Sequence, residues 1–162
     1  MTTATQTATQ MYRIYIKTTP EAIWDAITKP EWTKKYGYRG IAEFDLRPGG
    51  RFVARAPEDM QEQGMPEVLI DGEVIEADRP RKLVHTWRAL WDEEIKAEGT
   101  TRVTYDIEED DFGYTKLTVT HEVENAPITA ETVAATARLQ EGGGGWAWTL
   151  SDLKTLLETK QS

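Results

Sequence analysis

The chemistry open to this chain depends first on two histidines, His85 and His121, because the sequence contains no cysteine. A histidine acts as a general base when a nucleophile or a partner carboxylate is positioned beside it. It binds zinc when further ligands complete a tetrahedron. The sequence signals neither arrangement, so we predict no catalytic residue and no metal site. Each histidine is then either a core residue bonded to the backbone or a polar contact in a cavity.

Two glycine-rich stretches raise the question of phosphate binding. Gly49-Gly50 follows Pro48 and lacks both the strand-to-helix context and the lysine of a phosphate-binding loop, so it is predicted to be a turn. We expect no nucleotide and no other cofactor. Residues 142–145 are four consecutive glycines. They form either a linker between two helices or a stretch of bare backbone beside a ligand, and the second interpretation makes Gly143 a candidate ligand-binding residue.

Composition limits the partners of the chain. The formal net charge is −9, which repels the phosphates of nucleic acids and anionic lipids, so we expect no nucleic-acid partner. No apolar run approaches the ~20 residues that a membrane-spanning helix needs. Residues 1–10 are uncharged and predict a disordered tail rather than a signal peptide. The expected localisation is therefore cytoplasmic, with residues 11–160 forming a single domain.

The elements that must position these residues are mainly strands. Residues 12–17 alternate between apolar and polar side chains, as a half-buried strand does. Pro20 and Pro30 each open a short helix. Further strands follow at residues 41–46, 51–56, 68–77, 82–90, 102–109 and 115–123, with loops at 57–66 and 92–98. Because short turns join these strands without intervening helices, the sheet is expected to be antiparallel.

The chain ends in helical patterns. Residues 129–141 are predicted to be helical, and a closing helix carries an apolar stripe. The stripe consists of Trp146, Leu150, Leu153 and Leu157. A helix with one apolar face needs a surface on which to bury it, and the concave face of a curled sheet supplies one. The expected fold class is α+β, with an antiparallel sheet of about six to seven strands wrapped round a long C-terminal helix.

Strand parity places several aromatic residues on the face that should meet this helix. His85 and Trp87 share one strand face, and His121 lies on the equivalent face of a later strand. The strand between them carries Tyr105, so Trp87 and His121 are expected about 10 Å apart. The sequence contains six tryptophans, which either fill the core or line a cavity.

Several motifs, in this order and spacing, resemble a known family. They cover residues 20–30, 46–52, 72–87, 113–121 and 145–157, and include Leu-Arg-Pro-Gly-Gly-Arg-Phe at 46–52 and Thr-Val-Thr-His at 118–121. Together they resemble the helix-grip proteins of the START/SRPBCC superfamily. Within it, they resemble the homologues of the heat-shock-protein-90 ATPase activator. Tyr36 stands where that family usually has tryptophan, in the region where the resemblance places the pocket.

The resemblance implies a ligand-binding domain with a cavity between the sheet and the C-terminal helix. We expect a hydrophobic or amphipathic small molecule as the partner. The candidate ligand-binding residues are Trp24, Tyr36, His85, Trp87, Tyr105, His121, Gly143 and Trp146. Two alternatives remain open: a cyclase- or aromatase-like enzyme that positions its ligand, and a co-chaperone that regulates a chaperone ATPase. A homodimer also remains open.

Overall fold

One antiparallel sheet of seven strands organises the protein, and a computed structural model describes it over residues 9–134 and 145–160. The strand order is β1-β7-β6-β5-β4-β3-β2. The strands are β1 (Thr9–Ile16), β2 (Ile41–Phe44), β3 (Arg51–Arg55), β4 (Val68–Asp78), β5 (Lys82–Ala89), β6 (Thr101–Glu109) and β7 (Thr115–Glu122). The helices are α1 (Pro20–Thr28), α2 (Pro30–Thr33), α3 (Glu58–Glu62), α4 (Glu93–Ala97), α5 (Pro127–Ala134) and α6 (Gly145–Lys160). The sheet is curved, and the predicted helix-grip fold is confirmed.

Helix α6 packs on the sheet through the apolar stripe that its sequence predicted. Leu150, Leu153 and Leu157 are 4%, 1% and 1% exposed. Trp146, in the first turn of the helix, is only partly buried and packs against the same core. The apolar face of α6 is therefore more completely buried against the core in its C-terminal part than in its first turn.

The helices after β1 begin where the sequence placed them. The Thr19 hydroxyl accepts a hydrogen bond from the Ala22 amide at 3.2 Å, which caps α1 ahead of Pro20. Helix α1 buries Ile23 and Trp24 in the core. These contacts hold the first helix across the sheet and fix the segment that leads into α2.

Some boundaries differ from the expectation. Strand β1 begins at Thr9 rather than residue 12, because its pairing with β7 continues to Thr9 opposite Glu122. Short helices α3 and α4 occupy the two predicted loops. In α4 the Asp92 carboxylate accepts a hydrogen bond from the Glu94 amide, and Ile95 is buried, which explains why an acidic segment folds into one turn. Residues 135–144, including Gly143 and most of the glycine run, lie outside the described residues.

Strands β4 and β5 approach unusually closely at Gly72. A Cβ atom at this position would lie 1.9 Å from the Thr86 carbonyl oxygen. The Thr86 hydroxyl also accepts a hydrogen bond from the Glu73 amide at 2.8 Å. Only glycine allows this approach, which sets the packing of β4 against β5 directly behind the aromatic face of the sheet.

Candidate functional site

Two adjoining cavities lie between the sheet and α6. The inner one has a volume of about 140 Å³ and the outer one about 520 Å³. They share wall residues from the sheet, α6 and the segment that follows α1. The shared residues are Thr33, Tyr36, Ala54, Ile70, Trp87, Trp146 and Thr149. The arrangement is a deep apolar chamber that opens into a wider outer one.

The walls of both cavities are mainly aromatic and aliphatic. Phe44, Phe52 and Tyr105 line the inner cavity. Tyr38, Met60 and Trp91 are among the residues that line the outer one. Flat rings and flexible methionines adapt to apolar ligands of varied shape, because neither demands a single hydrogen-bonding geometry.

His121 lies behind this wall in a continuous chain of hydrogen bonds. The Trp146 indole N–H donates to His121 Nδ1 at 3.1 Å, so the ring proton must reside on Nε2. Nε2 then donates to the Thr101 hydroxyl at 2.7 Å, and that hydroxyl donates to the Trp87 carbonyl at 2.9 Å. Burial, together with the neighbouring His85, lowers the pKa of His121 to about 3. The chain therefore joins the first turn of α6 to strands β5, β6 and β7 through a neutral imidazole.

The strand expected between Trp87 and His121 is present, but their side-chain rings are closer than the two strand spacings that the sequence predicted. Their ring centroids are 5.0 Å apart, not about 10 Å. The register places Trp87 opposite Thr101 and His121 opposite Val103, so the rings meet diagonally above the small Thr101 side chain. Thr101 is thus a site residue that the sequence reasoning missed. Thr101 lies on the same face of β6 as Tyr105, which could have identified it. The strand was, however, expected to begin one residue later, at residue 102.

His85 is fully buried in an aromatic enclosure. Its ring centroid lies 4.4 Å from Phe52, 5.3 Å from Phe44 and 5.8 Å from Tyr105. Nδ1 lies 2.7 Å from the Thr86 carbonyl oxygen, so Nδ1 carries the proton and Nε2 is an acceptor. Within the described residues, Nε2 has no hydrogen-bond partner. Burial lowers the pKa of His85 to about 4, which keeps the ring neutral at physiological pH.

Two tyrosines supply polar groups at the inner cavity. The Tyr36 hydroxyl donates to the Ala26 carbonyl at 2.9 Å, and Tyr105 packs edge-on against Trp146. Burial raises the pKa of both phenols well above the usual value, and Tyr105 adds to the effect at Tyr36. Both therefore remain neutral, and both offer hydrogen bonds rather than charge to a ligand.

The structure gathers four of the predicted site residues at the cavities. Tyr36, Trp87 and Trp146 line both, and Tyr105 lines the inner one. His85 and His121 lie one ring behind the wall and do not line either cavity. Trp24 is buried in the core on α1, away from both. Its aromatic type suggested a pocket residue, but α1 directs it into the core.

The described residues contain no cluster of side chains suited to bind a metal ion. In residues 9–134 and 145–160, no three histidine, cysteine or acidic side chains are grouped as a metal site requires. The same part of the chain contains no helix that is long and apolar enough to cross a membrane. Among the described residues, the polar side chains that line the cavities are those of tyrosines, threonines, tryptophans and one arginine, Arg39.

Solved structures share this architecture at low sequence identity. The dimeric Aha1 from Colwellia psychrerythraea has a TM-score of 0.65 and 18% identity, with 96% of this chain and 100% of that chain covered. CalU16 from Micromonospora echinospora has a TM-score of 0.61 and 18% identity, covering 94% and 78%. An HSP90 activator from Plasmodium falciparum has a TM-score of 0.56 and 22% identity, covering 93% and 87%. At these identities the similarity concerns the fold.

A comparison with curated protein sequences found no match. Residues 17–158, by contrast, match the family described as "Activator of Hsp90 ATPase homolog 1-like protein". The matched range runs from the end of β1 almost to the end of α6, and so contains every wall residue of the two cavities. The chain therefore belongs to the Activator of Hsp90 ATPase homolog 1-like family.

Proposed function

We propose that the protein binds a hydrophobic or amphipathic small molecule in the two cavities between the sheet and α6. The observation that supports this proposal is the outer cavity of about 520 Å³, which continues into an inner one of about 140 Å³. Cavities of roughly 300–1,000 Å³ with apolar walls are typical of small-molecule sites. A ligand that fills this space gains about 25 cal/mol for each Å² of apolar surface that it buries.

The cavity walls favour binding over catalysis. Among the described residues, neither cavity is lined by a carboxylate or an imidazole. General acid–base catalysis needs such a group within hydrogen-bonding distance of the ligand. The two histidines are neutral, and His121 uses both ring nitrogens to hold the wall together. The tyrosines can orient a ligand through their hydroxyls, but their raised pKa values make them poor bases at neutral pH.

A cavity-filling pair of variants tests the proposal. Ala54 lines both cavities, so Ala54→Leu adds bulk where they meet. Ala147 is exposed on α6 and lines neither, so Ala147→Leu makes the same chemical change elsewhere. The neutral dye Nile red should bind the wild type and Ala147→Leu with similar affinity. Ala54→Leu should bind it at least about fivefold more weakly, since lost apolar burial of 1 kcal/mol corresponds to that factor.

The dye-binding result is interpretable only if both variants are folded. Circular dichroism and thermal denaturation should show that both variants retain the native fold. Native mass spectrometry of the purified wild-type protein should reveal any co-purified small molecule, which denaturing extraction then releases. If Nile red fails to bind, or if Ala54→Leu binds it as the wild type does, the ligand does not occupy these cavities.

A further inference from the structure

In the part of the chain that the structure describes, one charged side chain lies at the cavities, and it has no partner there. Arg39 lines the outer cavity, and no other charged residue lines either cavity within the described residues. Several other arginines form ion pairs, as Arg55 does with Glu43 and Arg88 does with Asp71. Arg39 forms none in the described part of the chain, and its side chain makes no hydrogen bond there. Its guanidinium is thus available to a ligand.

The backbone at Arg39 is held in a conformation that disfavours arginine. Its φ is 63°, in the left-handed region that glycine and asparagine adopt at lower cost. A hydrogen bond of 3.0 Å from the Arg39 amide to the Tyr36 carbonyl closes this turn. Residues kept in sparsely populated conformations are concentrated at functional sites, where the surrounding structure compensates for their cost.

The turn is fixed to the N-terminal half of α6, so Arg39 has a defined place at the rim. The Gly145 amide donates to the Tyr38 hydroxyl at 3.2 Å, and the ring of Tyr38 packs against Trp148 at 5.1 Å. The Gly37 amide donates to the Asp152 carboxylate at 2.9 Å. Arg39 therefore occupies the exposed edge of a cavity whose interior is aromatic and uncharged.

We propose that Arg39 selects ligands that carry an anionic head group, such as a carboxylate, on an apolar body. This inference rests on the proposed function. The apolar body enters between Tyr36 and Trp87, and the head group stays at the rim. The planar guanidinium offers two parallel N–H donors to a carboxylate, a stronger contact than a neutral hydrogen bond. A ligand with a neutral head receives no such contact.

The remaining charges near the rim identify the rival class of ligand. Helix α3 contributes Met60 to the outer cavity, and its acidic side chains, Glu58, Asp59 and Glu62, are exposed on the same short helix. These carboxylates, and the net charge of −9, would favour a cationic head at long range. Arg39 acts only at contact distance. Selection for an anion therefore requires the direct guanidinium contact, which makes Arg39 decisive.

Three matched probes separate these possibilities: decanoate, decanol and decyltrimethylammonium, each used to displace Nile red at pH 7.5. The wild type should bind decanoate about tenfold more tightly than decanol, since a hydrogen bond to a charged group contributes at least that factor. Arg39→Gln should remove this preference without changing the affinity for decanol. Arg39→Lys should keep part of it. Arg51→Gln, which removes an exposed charge away from both cavities, should behave as the wild type does.

The possible failures are distinguishable. If Nile red itself does not bind, the proposed function fails and this inference fails with it; if the dye binds but none of the three probes displaces it, only this inference fails. If all three bind, but decanoate has no advantage over decanol or Arg39→Gln keeps that advantage, only the role of Arg39 is refuted. If the cationic probe binds most tightly, the carboxylates of α3 select the ligand instead.

Discussion

Lowering the pH from 7.5 to 5.0 should destabilise the fold through its two buried histidines. Both are neutral in the folded protein, with pKa values lowered to about 4 for His85 and about 3 for His121. In the unfolded chain each returns to a value of about 6.5. Between these values the unfolded state binds more protons than the folded state, so the free energy of unfolding decreases as the pH falls.

The magnitude follows from the proton linkage. At pH 5.0 each unfolded histidine lies about 1.5 pH units below its pKa, which corresponds to about 2 kcal/mol per histidine. The sum is about 4 kcal/mol, a large part of the 5–15 kcal/mol of a typical domain. The contribution is fully present above pH 6.5 and is lost as the pH falls towards 4. The hydrogen bond from Lys154 lowers the pKa of Glu158. This carboxylate affects the free energy of unfolding only below the ordinary carboxylate pKa, so it does not contribute between pH 7.5 and 5.0.

Urea denaturation at the two pH values measures the change in the free energy of unfolding. Histidine variants then show how much of that change each histidine causes. His121→Gln keeps a donor and an acceptor but cannot be protonated in this range, so it should lose about 2 kcal/mol of the pH dependence. His85→Phe places another ring in the enclosure formed by Phe44 and Phe52, and should lose a similar amount. We compare how much the free energy of unfolding changes between the two pH values in the wild type and in each variant. Changes in general charge repulsion affect all of these proteins alike and therefore cancel. A wild-type stability that changes by less than about 1 kcal/mol, or variants with the wild-type slope, would refute the buried-neutral assignment.

Three substitutions test the structure around the site by the same urea assay. Thr101→Val should cost about 2–4 kcal/mol, because it leaves the Trp87 carbonyl and His121 without their buried partner, whereas Thr101→Ser should be milder. Gly72→Ala should cost more than about 2 kcal/mol because its Cβ meets the Thr86 carbonyl, while Gly40→Ala, with ordinary contacts, should not. Trp87→Ala should cost about 3–5 kcal/mol, since only 8% of this residue is exposed. An unchanged denaturation midpoint in any of the three would contradict the corresponding contact.

The elements of the fold could be predicted because each one has a local signature. Alternation placed each strand to within about three residues, and the spacing of Leu150, Leu153 and Leu157 fixes the face of α6 that meets the sheet. The single-turn helices α3 and α4 were missed, because one turn shows no helical period and neither begins with a proline. Ile95, the one buried residue of α4, carries no signal that separates it from an apolar residue in a loop.

The site was predicted less completely, for a different physical reason. Parity correctly placed Trp87 and Tyr105 on the inner face, since the side chains of a strand alternate strictly. Strand alternation shows which face of the sheet a side chain is on, but not whether that side chain lines a cavity or is covered by another ring. His85 and His121 were therefore expected to line the cavity. Arg39 was missed entirely, because a left-handed backbone at an arginine has no sequence signature. The role proposed for Arg39 depends on a turn whose position is set by contacts distant in sequence.

The position of the cavities follows from the two ways in which α6 is attached. Towards its C-terminus the helix is held by leucines in direct contact with the core: Leu157 lines neither cavity, and Leu150 and Leu153 line only the smaller, inner one. At its N-terminal end, hydrogen bonds act instead: Trp146 reaches His121, and Gly145 reaches Tyr38. Hydrogen bonds fix a separation without filling it, because they hold a few atoms at set distances while the neighbouring surfaces stay apart. A change that broke the Trp146–His121 bond would therefore alter the cavity as well as the stability. This coupling is expected if the same interactions that shape the aromatic wall also keep Arg39 at its rim.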